Sequence, residues 1–101
     1  MDSLIKQVEV WAKDKGLDKA ESSKQFLKVT EEVGEVASAL ARNDRELLKD
    51  GIGDVVVTLI ILALQNGMSL NECLEMACDE IKNRTGKMVD GVFVKASDLK
   101  S

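Results

Sequence analysis

Two groups of acidic residues are the part of this sequence best suited to chemistry. Glu31, Glu32 and Glu35 lie close together, and Asp50 and Asp54 follow at the start of a long apolar segment. At about 100° per residue, the glutamates cover an arc of roughly 100° on a helix, and the aspartates lie one turn apart on one face. Carboxylate oxygens in such an arrangement select Mg²⁺ or Mn²⁺, and an open coordination position would hold phosphate oxygens. The spacing therefore predicts a divalent-metal centre.

A solvated acidic helix face is the competing interpretation of the three glutamates. Against it, Asp54 directly precedes an apolar run, which places its carboxylate at the margin of a core. Acids on two neighbouring helices repel one another there unless something positive lies between them. The nearest basic residue, Lys28, lies one turn before the acidic arc and not on it. A metal ion is therefore the favoured partner.

The composition narrows the classes of function. The chain has 101 residues, which is enough for one small domain spanning residues 1–101. Its 18 acidic and 14 basic residues give a net charge of −4, which argues against a nucleic acid polymer or an anionic membrane as partner. The absence of histidine excludes Ser-His-Asp triads and His-ligated zinc.

Apolar spacing and helix-start patterns organise the chain into helices. They predict a first helix from about Ser3 to Lys15, a second from the capping pattern Asp18–Glu21 through Leu40, a third from Asn43–Glu46 to about Asn66, and a fourth from Ser69–Glu72 to about Arg84. The third helix is apolar on every face from Val55 to Leu64, so it must be covered all round, by the other helices or by a second subunit. We therefore expect an all-α, four-helix bundle completed by oligomerisation into a homo-dimer or homo-tetramer. An Asp90-Gly91 turn between two short apolar runs predicts an extended or hairpin tail.

Three features favour a cytoplasmic location. The first residues lack the basic-then-apolar pattern of a signal peptide, and the apolar run from Ile52 to Leu64 is too short to span a bilayer. Cys73 and Cys78 are five residues apart on different faces of a predicted helix, which suits neither a disulfide nor a metal site. We expect two buried or half-buried thiols in a reducing compartment.

The acidic motifs also resemble those of a known family. Glu31-Glu32-x-x-Glu35, followed further along by Gly53-Asp54-Val55, resembles the EExxE…ExxD signature of the all-α nucleoside triphosphate pyrophosphohydrolases, specifically the small MazG-like proteins. The resemblance extends to the Trp11-Ala12 helix and to the late run Glu80–Lys87, and so covers most of the chain.

One position departs from that signature. The ExxD motif would place a glutamate at position 51, where this chain has Gly51 with Asp50 beside it. Either Asp50 substitutes as a ligand, or water does and one metal position is weakened.

The resemblance implies an activity and the residues for it. It implies Mg²⁺-dependent hydrolysis of a nucleoside or deoxynucleoside triphosphate to the monophosphate and pyrophosphate, with nucleotide-pool housecleaning as a biological role. Glu32, Glu35 and Asp54 would hold the metal, which screens phosphate charge and lowers the pKa of an attacking water. Glu31 would orient or deprotonate that water.

The expected substrate-binding residues lie elsewhere in the chain. Lys82, Arg84 and Lys87 could bind the phosphate tail, or they could form a solvated helix end favoured by the helix dipole. Asn83 could contact a base edge or cap the helix. Trp11 could line the base pocket or pack in the core.

Two further classes of function stay open beside the enzyme. Loss of a metal position at Gly51 would suit a non-catalytic helical nucleotide-binding or oligomerisation module on the same fold. A helical protein-interaction domain with merely solvated acids would show no metal-dependent thermal shift.

Overall fold

Helices form most of the chain, and a short hairpin follows them. The computed structural model describes residues 2–99. Within that range the helices are α1 (Asp2–Asp14), α2 (Ser22–Ala41), α3 (Arg45–Gln65) and α4 (Leu70–Lys82), the strands are β1 (Gly86–Val89) and β2 (Val92–Lys95), and 3₁₀ turns occupy Leu17–Lys19 and Ala96–Leu99. The predicted all-α fold with a hairpin tail is confirmed.

The structure divides into two compact units, one up to Asn71 and the other from Glu72. The first unit contains α1, α2 and α3, and its principal packing is between α2 and α3, with α1 also against α3. The second unit contains the hairpin and most of α4. No helix in the described part of the chain is long and apolar enough to cross a membrane.

The β-branched run in α3 is helical and supplies much of the core of the first unit. Ile60 is only 2% exposed, and Ile61 and Ala63 are also buried. Helical continuity was predicted because no turn signal interrupts this run, and packing of its apolar side chains outweighs the weak strand preference of β-branched residues. Buried residues of α1 and α2 complete this core: Ile5, Ala12, Val29 and Ala39.

The turn between α2 and α3 is held by a side-chain cap. Asp44 accepts a hydrogen bond from the Leu47 backbone N–H at 3.0 Å, which satisfies a donor in the first turn of α3. Asn43, just before it, adopts a left-handed backbone with φ of 52°. This short connection makes α2 and α3 a helical hairpin.

The predicted start of α2 at Asp18–Glu21 is wrong. Asp18 lies in the 3₁₀ turn, Glu21 occupies the position before the helix without a side-chain cap, and α2 begins at Ser22. The side-chain amide of Gln65 donates to the Leu17 carbonyl at 2.9 Å. That bond, made by a residue 48 positions away, helps to hold the 3₁₀ turn in place of a longer helix.

The hairpin of the second unit closes on the predicted Asp90-Gly91 turn. Both turn residues have positive φ, 50° and 80°, as a two-residue type I′ turn requires. β1 and β2 pair antiparallel, with Gly86 opposite Lys95. A Cβ at position 86 would lie 2.9 Å from the Lys95 Cα, so the strand ends approach too closely for a side chain there.

The cysteines are more accessible than expected. Neither Cys73 nor Cys78 is in a disulfide, but both are exposed and not buried or half-buried as expected. The reason is local: none of the described residues of α4 is classed as buried, so this helix supplies no interior for them.

Candidate metal centre

Three of the predicted carboxylates converge between α2 and α3. Glu32, Glu35 and Asp54 each offer an oxygen, and these oxygens all lie within 4.8 Å of one another. Glu32 and Asp54 are half-buried, whereas Glu35 is exposed. The group therefore has one side in the helical interface and one side open to an incoming ligand.

The helical hairpin determines this convergence. Glu32 and Glu35 are three residues apart and share a face of α2, while Asp54 lies on α3. On one side of the group, the Gln25 side-chain amide donates to the Thr58 carbonyl at 3.0 Å. On the other side, buried Gly51 allows α3 to approach α2 closely (a Cβ there would lie 3.1 Å from Cγ2 of the facing α2 valine). The two helices are thus tied together on both sides of the acids.

Glu32 carries the electrostatic cost of the arrangement. Its pKa is raised above the ordinary value of 4.5, chiefly by a side-chain hydrogen bond with Glu35 that the protonated carboxyl can donate. Partial burial raises this pKa further, and so does the negative charge of Glu35, Asp54 and Glu31. Ionised Glu32 is therefore disfavoured unless a positive charge joins the group.

The donor set fits a hard divalent cation. Oε2 of Glu32 is buried and has no hydrogen-bond partner among the described residues. An ionised carboxylate can only accept, so this oxygen needs a donor or a cation. Mg²⁺ is bound through carboxylate oxygens while it retains several waters, and three oxygens with one open side match that requirement.

The other two predicted acids lie outside this group. Glu31 is exposed and forms an ion pair with Lys28, at 3.6 Å between Nζ and Oε1. Asp50 is exposed and is not among the described carboxylates that converge. Helical spacing alone could not distinguish Asp50 from Asp54, because both are compatible with one helix face.

The predicted phosphate-binding residues belong to the second unit, where two of them pair with acids of α4. Nζ of Lys82 lies 3.9 Å from Oδ1 of Asp79, and Nη2 of Arg84 lies 3.6 Å from Oε2 of Glu80. These are exposed or partly exposed pairs one helical turn apart, which contribute little to stability and can exchange partners. Lys87 is exposed on β1.

Two remaining predictions concern the base. The Asn83 side-chain amide donates to the Asp79 backbone carbonyl at 3.2 Å. This bond caps the end of α4, which is the second of the two roles predicted for Asn83. Trp11 is 48% exposed on α1 and is therefore not a core residue. A base-lining role for Trp11 stays a prediction.

The hydrogen bond that braces the centre was not predicted from the sequence. Gln25 occurs one turn before buried Val29, and a polar side chain on the inner face of a predicted helix needs a hydrogen-bond partner, which was the available signal. Thr58 gave no signal, because it takes part through its backbone carbonyl while its hydroxyl donates to the Val55 carbonyl at 2.7 Å.

A domain-family model and a phage protein both match this chain. The model of the MazG nucleotide pyrophosphohydrolase domain matches residues 21–89, a span that includes Glu31, Glu32, Glu35, Asp50 and Asp54 but not Trp11. An "Uncharacterized 18.2 kDa protein in rep-hol intergenic region" of Haemophilus phage HP1 (strain HP1c1) is 45% identical over 67 residues, which are 65% of this chain and 41% of the phage protein. The chain therefore spans less than half the length of that relative.

No solved structure matches the chain. The domain match nevertheless covers well over half of its 101 residues and includes the three converging carboxylates. The chain therefore belongs to the MazG nucleotide pyrophosphohydrolase family.

Proposed function

We propose that this protein hydrolyses nucleoside or deoxynucleoside triphosphates to the monophosphate and pyrophosphate, using Mg²⁺ held by Glu32, Glu35 and Asp54. Mn²⁺ has similar ligand preferences and is the expected substitute. The observation that supports the proposal most directly is the buried Oε2 of Glu32, which lacks a partner in a group of three converging carboxylates. When bound, the ion would screen phosphate charge and favour ionisation of an attacking water.

Glu31 is the proposed acceptor of the water's proton. It neighbours Glu32 but is not part of the converging group, so its carboxylate is available for proton transfer and not committed to the ion. Its ion pair with Lys28 is exposed, and such pairs exchange readily with solvent and substrate. We assign Glu31 the role of orienting or deprotonating water.

Lys82, Arg84 and Lys87 are proposed to bind phosphate oxygens. Their positive charge lies at and beyond the C-terminal end of α4, and Arg offers two parallel donors to a phosphate. Substitution of the three by alanine should raise KM for the nucleotide and leave Mg²⁺ affinity without nucleotide unchanged. Asn83 and Trp11 stay the proposed contacts of the base.

The test is a panel of nucleoside and deoxynucleoside triphosphates incubated with the pure protein in Mg²⁺ or in chelator. Release of pyrophosphate and monophosphate in Mg²⁺ alone supports the proposal, and the panel also reports the preferred base and sugar. Release of inorganic phosphate and the nucleoside diphosphate would instead indicate cleavage between the β- and γ-phosphates. Binding without any product would instead favour a non-catalytic nucleotide-binding module, the alternative that Gly51 suggests.

We also propose that a second copy of the chain covers the exposed apolar surface of the first unit. Phe26, Val33 and Leu40 recur every seven residues on α2, and all three are at least half exposed. Residues seven apart lie on one face of a helix, so these side chains form a continuous apolar stripe. Ile52 and Val56 add a second exposed pair on α3. A homo-dimer or homo-tetramer would bury this surface. The proposed location of the protein is the cytoplasm, as the sequence suggested.

A further inference from the structure

Position 51 of α3 is sterically restricted by α2. Gly51 is buried, and a Cβ built on it would lie 3.1 Å from Val36 Cγ2 and 3.7 Å from Val36 Cα. The first distance is tighter than ordinary van der Waals contact, so a side chain at position 51 requires the Val36 side chain to move by a few tenths of an ångström. Val36 directly follows Glu35, and position 51 lies one turn before Asp54, so this restricted position borders the centre on both helices.

Asp50 does not take over the missing place. Its side chain is exposed, and its carboxylate is not among those within 4.8 Å of one another. Because successive residues of a helix differ by about 100° in direction, buried Gly51 and exposed Asp50 face different surroundings. Within residues 2–99, the ligand set at this place is therefore three carboxylates.

We propose that the Gly51–Val36 contact restricts the nucleotide-free protein to one divalent cation per chain, with water completing its coordination. The inference rests on the proposed function, because it concerns the same metal centre. Mg²⁺ requires near-octahedral coordination, and two ions about 3.5–4 Å apart need bridging and separate ligands. Three carboxylates, with no fourth within 4.8 Å of all of them among the described residues, suffice to anchor one ion and leave a second without its own protein ligand.

The charge of the group gives the same result. Three ionised carboxylates bring three negative charges, so one divalent cation leaves the group with a net charge of −1. A second divalent cation would reverse this to +1, and the two ions would repel each other with no further described carboxylate within 4.8 Å of the group to separate them. Gly51 supplies no ligand of its own, and Val36 restricts the space in which a larger residue at position 51 could supply one.

The test is a titration of the full-length chain with Mn²⁺ alone, followed by electron paramagnetic resonance of the free ion and by calorimetry. The wild type should bind one tight Mn²⁺ per chain. Asp54→Asn should weaken that binding strongly. Asp50→Asn should change the Mn²⁺ affinity by no more than about twofold, because solvent and salt screen the interaction of an exposed charge outside the group with the ion.

A gain-of-ligand variant tests the role of Val36. The double variant Val36→Ala/Gly51→Glu makes room for a fourth carboxylate and should either bind a second Mn²⁺ or bind the first about tenfold more tightly, since affinity follows the charge of the ligand set. Val36→Ala alone and Val36→Ala/Gly51→Ala are the matched controls, since neither adds a ligand, and each should keep one ion at wild-type affinity. Thermal melts of every variant verify that it is folded.

The outcomes separate this inference from the proposed function. Two tight Mn²⁺ per wild-type chain, or an Asp50→Asn loss as large as that of Asp54→Asn, would overturn the single-ion centre while leaving a metal enzyme in place. A folded double variant with unchanged stoichiometry and affinity would overturn the role of the Gly51–Val36 contact. A wild type that binds no Mn²⁺ at all would contradict the metal centre itself, and with it both proposals.

Discussion

At the scale of single residues, Glu32 links the metal centre to pH. Its pKa is raised in the folded protein, chiefly by Glu35, so the native state retains a proton at pH values where the unfolded chain has lost it. The stabilisation from that proton is fully present below about 4.5, the unfolded value, and is lost as the pH rises through the folded pKa. Metal-free protein should therefore lose stability from Glu32 over that window.

Mg²⁺ should reverse this loss, because the ion replaces the proton in the native state only. We expect the Mg²⁺-induced rise in Tm to be larger at about pH 8 than at about pH 5.5, where protons compete with the ion. Thermal melts with Mg²⁺ or chelator at both pH values measure it, and Glu32→Gln should reduce the rise at both. An equal rise at both pH values, or none, would count against ionised Glu32 as a ligand.

Substitutions at Glu31 and Glu35 should cause different kinds of defect. Glu31→Gln removes the proposed proton acceptor and should lower kcat by about 10²–10⁴-fold with Mn²⁺ affinity unchanged. Glu35→Gln removes a member of the converging group and should lower both kcat and the affinity for Mn²⁺. Steady-state kinetics and Mn²⁺ titration on the same samples distinguish them. Equal losses of Mn²⁺ affinity would show that Glu31 is a ligand and not the proton acceptor.

At the scale of the elements, the Asp44 cap at the start of α3 is the clearest local contribution to the hairpin that carries the site. Asp44→Ala removes the acceptor for the Leu47 N–H and should lower the free energy of unfolding by about 0.5–2 kcal/mol. Asp44→Ser retains a side-chain oxygen and should keep most of the free energy of unfolding that Asp44→Ala loses. Chemical denaturation with fixed Mg²⁺ measures both variants, and an Asp44→Ala protein as stable as the wild type would show that the cap is dispensable.

Local patterns predicted those elements whose signals lie within the segment itself. The continuous apolar run of α3 and the Asp90-Gly91 turn were predicted correctly, because length and turn chemistry decide them. The start of α2 was not, because the bond from Gln65 to Leu17 comes from a residue distant in sequence. Convergence of Glu32, Glu35 and Asp54 was predicted, whereas the exclusion of Asp50 depends on how α3 is rotated against α2. That rotation is a property of packing, to which Gly51 and Val36 contribute.

At the scale of the whole molecule, the small core of the first unit makes assembly an expected source of further stability. The apolar stripe on α2 predicts a dimer or tetramer, and Phe26→Glu and Leu40→Glu should shift it toward monomer by placing charge in the interface. Ser38→Glu, at an exposed position on another side of α2, is the control. Light scattering measures the mass, and a wild-type species of 11.0 kDa at working concentration would contradict the prediction.

Substitution of a converging carboxylate is the most direct test of whether this family member is a metal-dependent pyrophosphohydrolase. Pyrophosphate release from the best nucleoside triphosphate is measured in Mg²⁺ for the wild type, for Asp54→Asn and for Glu46→Gln, the last at an exposed acid on the same helix. We predict that Asp54→Asn loses about 10²-fold or more of kcat/KM, because it removes a charged metal ligand. Glu46→Gln should retain near wild-type activity. A folded Asp54→Asn protein that releases pyrophosphate at the wild-type rate would contradict the account.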